Sequence, residues 1–431
     1  MRIGLVEFIL ILFIASVTVG PQVALFVDRW LRRANRASAL AARRKAEAQA
    51  QMAIEREALL HRFRVASNVF AALAAVALVY ALVFRPIATP PKTYMAPDVA
   101  ERSGAVQTVD SADALDLKAY EIGPAIQMQD GWIYAAAKLP KVGVLMRMQP
   151  DGSGWNEVLD VADGEITGFA FAPDGTLWMT TIEADGGKLC RVSNDQWGVT
   201  VEPVVTQIDG KALSCPAAVA VGADGKVYFT DAADVSTKYG LESALRTELL
   251  AHTATGWVYV YDPVTRAVER VLGGVAGASG LALSADGETL YVSDLGSRCV
   301  WAVPASGREL TAGGKGCAQL AAGLPGYPGA LAVYEDGNIT IGYRWARSAW
   351  LEDHADSTLL RGAALRLSES MQEKLFQMPG DGICAESFAP DGALLASYGG
   401  KALGGIIALC PAENRVYLGV AGENKIQWVR I

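Results

Sequence analysis

Three histidines bound the imidazole chemistry open to this 431-residue chain: His61, His252 and His354. His61 sits in an Arg- and Lys-rich stretch, which leaves His252 and His354 as bases for the C-terminal region. His354 falls in Leu-Glu-Asp-His-Ala-Asp, where Glu352, Asp353 and Asp356 could join it on a metal ion. The same run reads more readily as a solvated loop, because ligand spacing without a rigid element is weak ground for a metal site. Asp231 and Asp294 each end an alternating apolar run. A carboxylate there can face a pocket or accept hydrogen bonds from turn amides. Tyr327, Arg344 and Trp345 fall near strand ends, and Arg beside Trp could grip an anionic or aromatic ligand or simply pack. No Gly-x-Ser-x-Gly elbow, phosphate loop or Cys-x-x-Cys pair occurs, so serine hydrolysis and thiol redox chemistry have no support.

The cysteines are Cys190, Cys215, Cys299, Cys317, Cys384 and Cys410, with none before residue 190. An even set confined to one region fits disulfides in an oxidising compartment, with Cys299–Cys317 the first pair expected. Six buried thiols acting as small hydrophobes are the other reading.

These residues hang on a repeated phrase: an apolar run, Asp-Gly, then an alternating run. It occurs at Phe171–Thr181, Val221–Asp231, Leu283–Asp294 and Val333–Tyr343, with looser copies at Ile126–Ala136 and Cys410–Val420. Asp-Gly between two period-2 runs signals a hairpin, since Gly takes the positive φ that tight turns need. Recurrence every ~40–60 residues points to small antiparallel sheets arranged radially. Six copies predict an all-β six-bladed β-propeller over residues 122–431.

Ahead of it, residues 1–85 read as an α-helical two-span membrane hairpin. Apolar runs at 3–19 and 65–84 flank a basic helix at 28–64. The second run has the length to cross a bilayer, and a short basic loop belongs on the cytoplasmic side. The propeller is therefore expected outside a bacterial inner membrane, an oxidising location. Residues 86–121 read as a Pro-rich, semi-rigid linker and lead-in strand that lift the propeller off the membrane. The composition is 51% hydrophobic with a net charge of −8, which argues against a nucleic-acid partner. The opening segment, through Glu7, Gly20 and Pro21, resembles the small subunits of the twin-arginine protein translocase; a plain anchor is the simpler reading.

Thr255–Val303, the Leu-Pro-Gly-Tyr-Pro phrase at 324–328 and the closing Val416–Ile431 resemble the strictosidine synthase-like family. That family belongs to the six-bladed superfamily of gluconolactonases and paraoxonases. In metal-dependent relatives the resemblance implies a divalent cation at the channel mouth, held by carboxylates and Asn side chains opening inner strands. Here those positions read Ala125, Pro216 or Ala217, Ser279 and Gly329, so no metal cofactor is expected. The late glutamate of strictosidine synthases finds only Glu413, at a turn. The resemblance thus implies a binding module for an unknown small molecule, or a membrane or secreted protein, with Asp231, Asp294, Tyr327, Arg344 and Trp345 as candidate contacts. A lactonase or condensing enzyme with a relocated site is the alternative, and an accessory of protein export the third reading.

Overall fold

In a computed structural model of the chain, each repeated phrase forms the turn between the first and second strands of one of six blades. The structure describes Leu25 and residues 42–102, 104–109, 111–195, 198–379, 382–412 and 414–430. Glu7, Gly20, Pro21, the first apolar run and Glu413 lie outside the described residues. The turns work as their composition dictates. Gly175, Gly225, Gly287 and Gly337 take φ of 84°, 79°, 74° and 84°. The preceding Asp174, Asp224, Asp286 and Asp336 each accept the amide two residues on, at 2.9, 3.1, 3.0 and 3.0 Å. Those amides hold the Asp174 carboxyl below the usual range. These aspartates shape turns.

The inner strands are Glu121–Gln129, Gly164–Phe171, Pro216–Val221, Ala278–Leu283, Gly326–Val333 and Ile406–Ala412, one in each of blades 1 to 6. Each is followed outward by three further antiparallel strands. Blade 6 takes its outermost strand from the N-terminal side: Asp113–Asp116 pairs with Lys425–Arg430, with Leu115 opposite Ile426. A further short strand, Val106–Thr108, lies parallel to the outer strand of blade 5.

The molecule divides into two compact units, Met1–Ile87 with Gly362–Met371 and Ala88–Arg361 with Gln372–Ile431. In the first, α1 (Ala42–Val79) runs unbroken and continues as a wider turn, Tyr80–Phe84. The basic stretch and the second apolar run therefore share one helix from residue 42 onward. Among the described residues Gln51–Phe84 is the helix long and apolar enough to cross a bilayer, with a mean hydropathy of 2.2. At its end the Arg366 guanidinium donates to the carbonyls of Leu82, at 3.2 Å, and Arg85. Arg85 donates back to the Arg366 carbonyl at 2.7 Å.

Helical inserts interrupt the blade sequence at one end only. After the second strand of blade 3 comes α2 (Gly240–Ala251). After that of blade 5 come α3 (Ala349–Asp353), α4 (Thr358–Leu365) and α5 (Glu369–Glu373). The Pro-rich stretch is not a free spacer. Lys92 N–H donates to Ala251 O at 2.8 Å, Tyr94 N–H to Ala355 O at 3.2 Å and Ala100 N–H to Gly323 O at 3.0 Å. Two fully buried guanidinium groups complete this strap: Arg361 donates to the Lys92 carbonyl and Arg298 to the Pro97 carbonyl. Unpaired backbone carbonyls would be costly there, and these arginines satisfy them.

All six cysteines are free thiols, so the expected Cys299–Cys317 disulfide is absent. Register explains it. Ala302 faces Ala318, which puts Cys317 at the far end of the strand pair from Cys299. Three residues of strand span ~10 Å, beyond disulfide reach. Burial pushes the Cys299 thiol well up, as for a buried small hydrophobe.

Neighbouring inner strands approach closely where Gly280 faces Gly329. A Cβ on Gly280 would lie 2.0 Å from the Gly329 carbonyl oxygen. Gly280→Ala should therefore cost about 1–3 kcal/mol through forced backbone shifts, read as a lowered thermal midpoint. An unchanged midpoint would contradict this packing.

Candidate functional site at the channel mouth

The six inner strands enclose a central cavity of about 450 Å³. Its lining side chains are small or apolar, among them Ala125, Phe169, Ala217, Leu281 and Leu331, with Gln127 and Ser279 as polar exceptions. Gln127 is already used, accepting the Phe171 amide of the next blade at 3.1 Å. Among the described residues no group of three or more His, Cys, Asp or Glu could hold a metal ion.

Of the positions singled out from sequence, Ala125, Ala217 and Ser279 line this channel. Of them, only Ser279 offers a side-chain oxygen, and its hydroxyl donates to the Pro328 carbonyl at 3.0 Å. Gly329 sits beneath Arg344: a Cβ there would lie 3.2 Å from the Arg344 Cβ. The Arg344 guanidinium is buried at the mouth and pairs with Glu242 near the start of α2. Across the mouth Glu165, opening the inner strand of blade 2, accepts the Leu241 amide. It thus caps α2 from another blade, where a carboxylate offsets the free amides and positive end of the helix. Burial pushes the Glu165 carboxyl up, opposed by the Leu241 amide and Lys138.

Beside the mouth runs a groove of about 1070 Å³ over blades 1 to 3. Glu121, Lys138, Lys141, Glu165, Glu183 and Tyr239 are among its lining residues. Lys138 bridges to Glu121 at 3.0 Å, and Lys188 to Glu183 at 2.8 Å and Asp185 at 3.0 Å. The groove therefore presents both charge signs and an exposed aromatic ring.

The other candidate contacts pack elsewhere. Asp231 accepts the Ser214 and Cys215 amides, and burial raises its carboxyl to about 6. Asp294 accepts the Ser297 amide at 3.0 Å and the Trp301 Nε1 at 2.9 Å. Tyr327 and Trp345 pack against Phe376, with ring centres 6.3 and 5.4 Å away. Arg344 alone of the five reaches the mouth. The Leu-Glu-Asp-His-Ala-Asp run is neither a metal cluster nor a plain loop. Glu352 lies in α3 and pairs with Arg298 at 2.7 Å and with Arg347, while His354 Nδ1 lies 2.6 Å from the Trp350 carbonyl. His252 caps α2 in a left-handed conformation, φ 49°, and stacks on Tyr94 at 3.7 Å.

Sequence reasoning passed over Glu165, Glu242 and Glu248. Glu165 follows Asp163-Gly164 directly ahead of an inner strand, the kind of position examined in other blades, so its signal was present. Glu242 and Glu248 gain their roles only once α2 docks.

With this geometry in hand, likeness to known proteins is informative. Residues 217–301 match the family model described as strictosidine synthase. Over this stretch the propeller is similar to strictosidine synthase-like proteins. It is 30% identical over 179 residues to Protein STRICTOSIDINE SYNTHASE-LIKE 6 of Arabidopsis thaliana, covering 41% of this chain and 44% of that one. Identity to Protein STRICTOSIDINE SYNTHASE-LIKE 13 of the same plant is 25% over 175 residues, 41% of each chain. The matched stretch thus spans less than half the length of these relatives. A gluconolactonase from Xanthomonas campestris superposes with a TM-score of 0.50 at 18% identity, over 80% of this chain and 98% of that one, a likeness of fold.

Glu248 and His252, six and two residues before the Thr253-Ala254 turn closes at Glu248, titrate in opposite senses. Burial raises Glu248 to about 7, despite bonds from the Thr253 hydroxyl at 2.6 Å and the Ala254 amide at 2.8 Å. Its folded form holds a proton that the unfolded form loses near pH 4.5, so its contribution is full below that pH and lost as pH rises to about 7. Burial lowers His252 to about 4, so its contribution is present above the unfolded value of 6.5 and lost as pH falls toward 4. Glu248→Gln should remove the first trend only. Relative to the parent, stability should rise from pH 4.5 to 7 by up to about 3 kcal/mol in denaturant unfolding. Parallel pH profiles would show that Glu248 is not held protonated.

Proposed function

We propose that this protein is a membrane-anchored, extracytoplasmic binding propeller that takes its ligand in the groove over blades 1 to 3, without the divalent cation of metal-dependent relatives. The observation that carries the reading is the pairing of the buried Arg344 with the half-buried Glu242 at the channel mouth. The Arg344 guanidinium occupies the mouth with a fixed positive charge and keeps the Glu242 carboxylate engaged, so that carboxylate is not free to ligate a cation. Nor do Ala125, Pro216, Ala217, Ser279 and Gly329 form the oxygen-rich shell that a hard cation demands. The groove, by contrast, has the size, mixed charge and exposed Tyr239 suited to a polar small molecule or a segment of a membrane or secreted protein. Anchoring is supported by the length and hydropathy of Gln51–Phe84 and by the basic stretch at 28–64, which favours the cytoplasmic side.

One observation favours an enzymatic second reading. Glu165 borders the groove with its carboxyl pushed up by burial, the state a general acid needs near neutral pH. A relocated ester- or lactone-cleaving site would centre on it.

Titration of calcium into the full chain in detergent should give no stoichiometric heat, and aryl esters and lactones should show no metal-dependent turnover. A stoichiometric calcium site, or hydrolysis abolished by chelation, would overturn the binding reading. Metal-independent hydrolysis that falls at least about tenfold in Glu165→Gln would replace it with the enzymatic one.

A further inference from the structure

The two ends of the central channel differ. At the mouth, the buried Arg344 and Leu241 share a small pocket of about 40 Å³ with Pro124 and Ile407, which also line the channel, and so cap it. From there the lining follows the inner strands to their turn ends, ~16 Å over the five residues Pro124–Met128. That far end is ringed by Met128, Phe171, Val221, Leu283, Val333 and Pro411, one from each blade. All six are apolar and all six are half-buried. The first five pack with one flank between blades, and the cavity meets them from the other side.

Outside this collar lie the inner turns, and their charge is mostly of one sign. Asp130, Asp174, Asp224, Asp286 and Asp336 occupy five of the six turns, each of them exposed. Among the described residues of these turns Lys226 is the one cation, and Asp224 already holds it at 2.6 Å. An apolar socket inside a charged rim is the anatomy of a protein-binding hot spot. A ring of carboxylates repels anionic headgroups and nucleic acid, and draws in positive charge. The rim thus selects among the occupants an apolar opening could take.

We propose that the turn end of the channel is a docking site for a basic polypeptide segment. The segment seats one long apolar or aromatic side chain inside the collar and lays its cationic residues against the aspartate turns. The cavity of about 450 Å³ behind the collar has room for such an anchor. This site lies at the opposite end of the channel from the groove over blades 1 to 3, and does not rest on the reading of that groove.

The test uses fluorescently labelled heptapeptides, lysine and glycine around one central residue, titrated into the full chain in neutral detergent and followed by anisotropy. Phenylalanine at the centre should bind at least about tenfold tighter than serine, the gain expected for burying an aromatic ring. Raising the salt concentration should weaken that binding. Asp174→Asn, Asp286→Asn and Asp336→Asn together keep an acceptor for each turn amide while removing three charges. In that variant affinity should fall at least about fivefold, and most of the salt dependence should go with it. Equal affinity for the two peptides, or affinity untouched by the asparagine changes, would overturn the docking. So would tighter binding of a peptide carrying glutamate in place of lysine. Dimers of the full chain that block the phenylalanine peptide would give the collar to a second copy, and overturn it as well.

Discussion

Ring closure is the constraint on which the rest of the molecule depends. Five blades are built from consecutive chain, but the sixth is complete only when Asp113–Asp116 lies against Lys425–Arg430. Leu115 and Ile426 then enter a shared core with Leu117, Ile122 and Tyr417. Without that strand, blade 6 would expose a raw edge and the ring a seam, and exposed edges invite pairing with other chains. The entropic cost of joining distant ends grows only with the logarithm of their separation, so one short strand with well-buried side chains suffices. Closed, the ring fixes the six inner-strand starts that define the mouth, and gives α2 its foothold against Glu165.

The blades were legible because each rests on local chemistry. Asp-Gly supplies the positive φ and the side-chain acceptor for its turn, and alternating apolar residues supply the faces that pack between blades. What escaped the sequence is what depends on distant partners. Nothing about Asp113–Asp116 announces that it completes a sheet begun some three hundred residues later. Nor does a Pro-rich stretch announce the buried arginines that receive its carbonyls. The disulfide expectation failed for a related reason: neighbouring strands were correct, but only the register shows that Cys299 and Cys317 sit at opposite ends of them.

The channel mouth is held together by side chains from several elements. Gly329 leaves room for the Arg344 side chain, and Arg344 meets Glu242 on a helix that Glu165 caps from across the channel. Gly329, Arg344, Glu242 and Glu165 thus form one linked arrangement. Asp231 and Asp294, which had the appearance of ligands, hold backbone amides and an indole instead. Their burial serves the shape of the blade ends, and the polar groove lies to one side of them.

The strap has a mechanical meaning beyond its packing. Its bonds fall one after another on the close of α2, just past α3, on the lead-in to blade 5 and, through Arg102 and the buried Glu386 at 2.7 Å, on blade 5 itself. A pull along the chain from the N-terminal side therefore meets several separate attachments around the rim before it reaches the closing strand. Load spread in this way shears many bonds together, whereas tension applied straight to Asp113–Asp116 would unzip the ring one pair at a time. The strap is a strain relief for the seam.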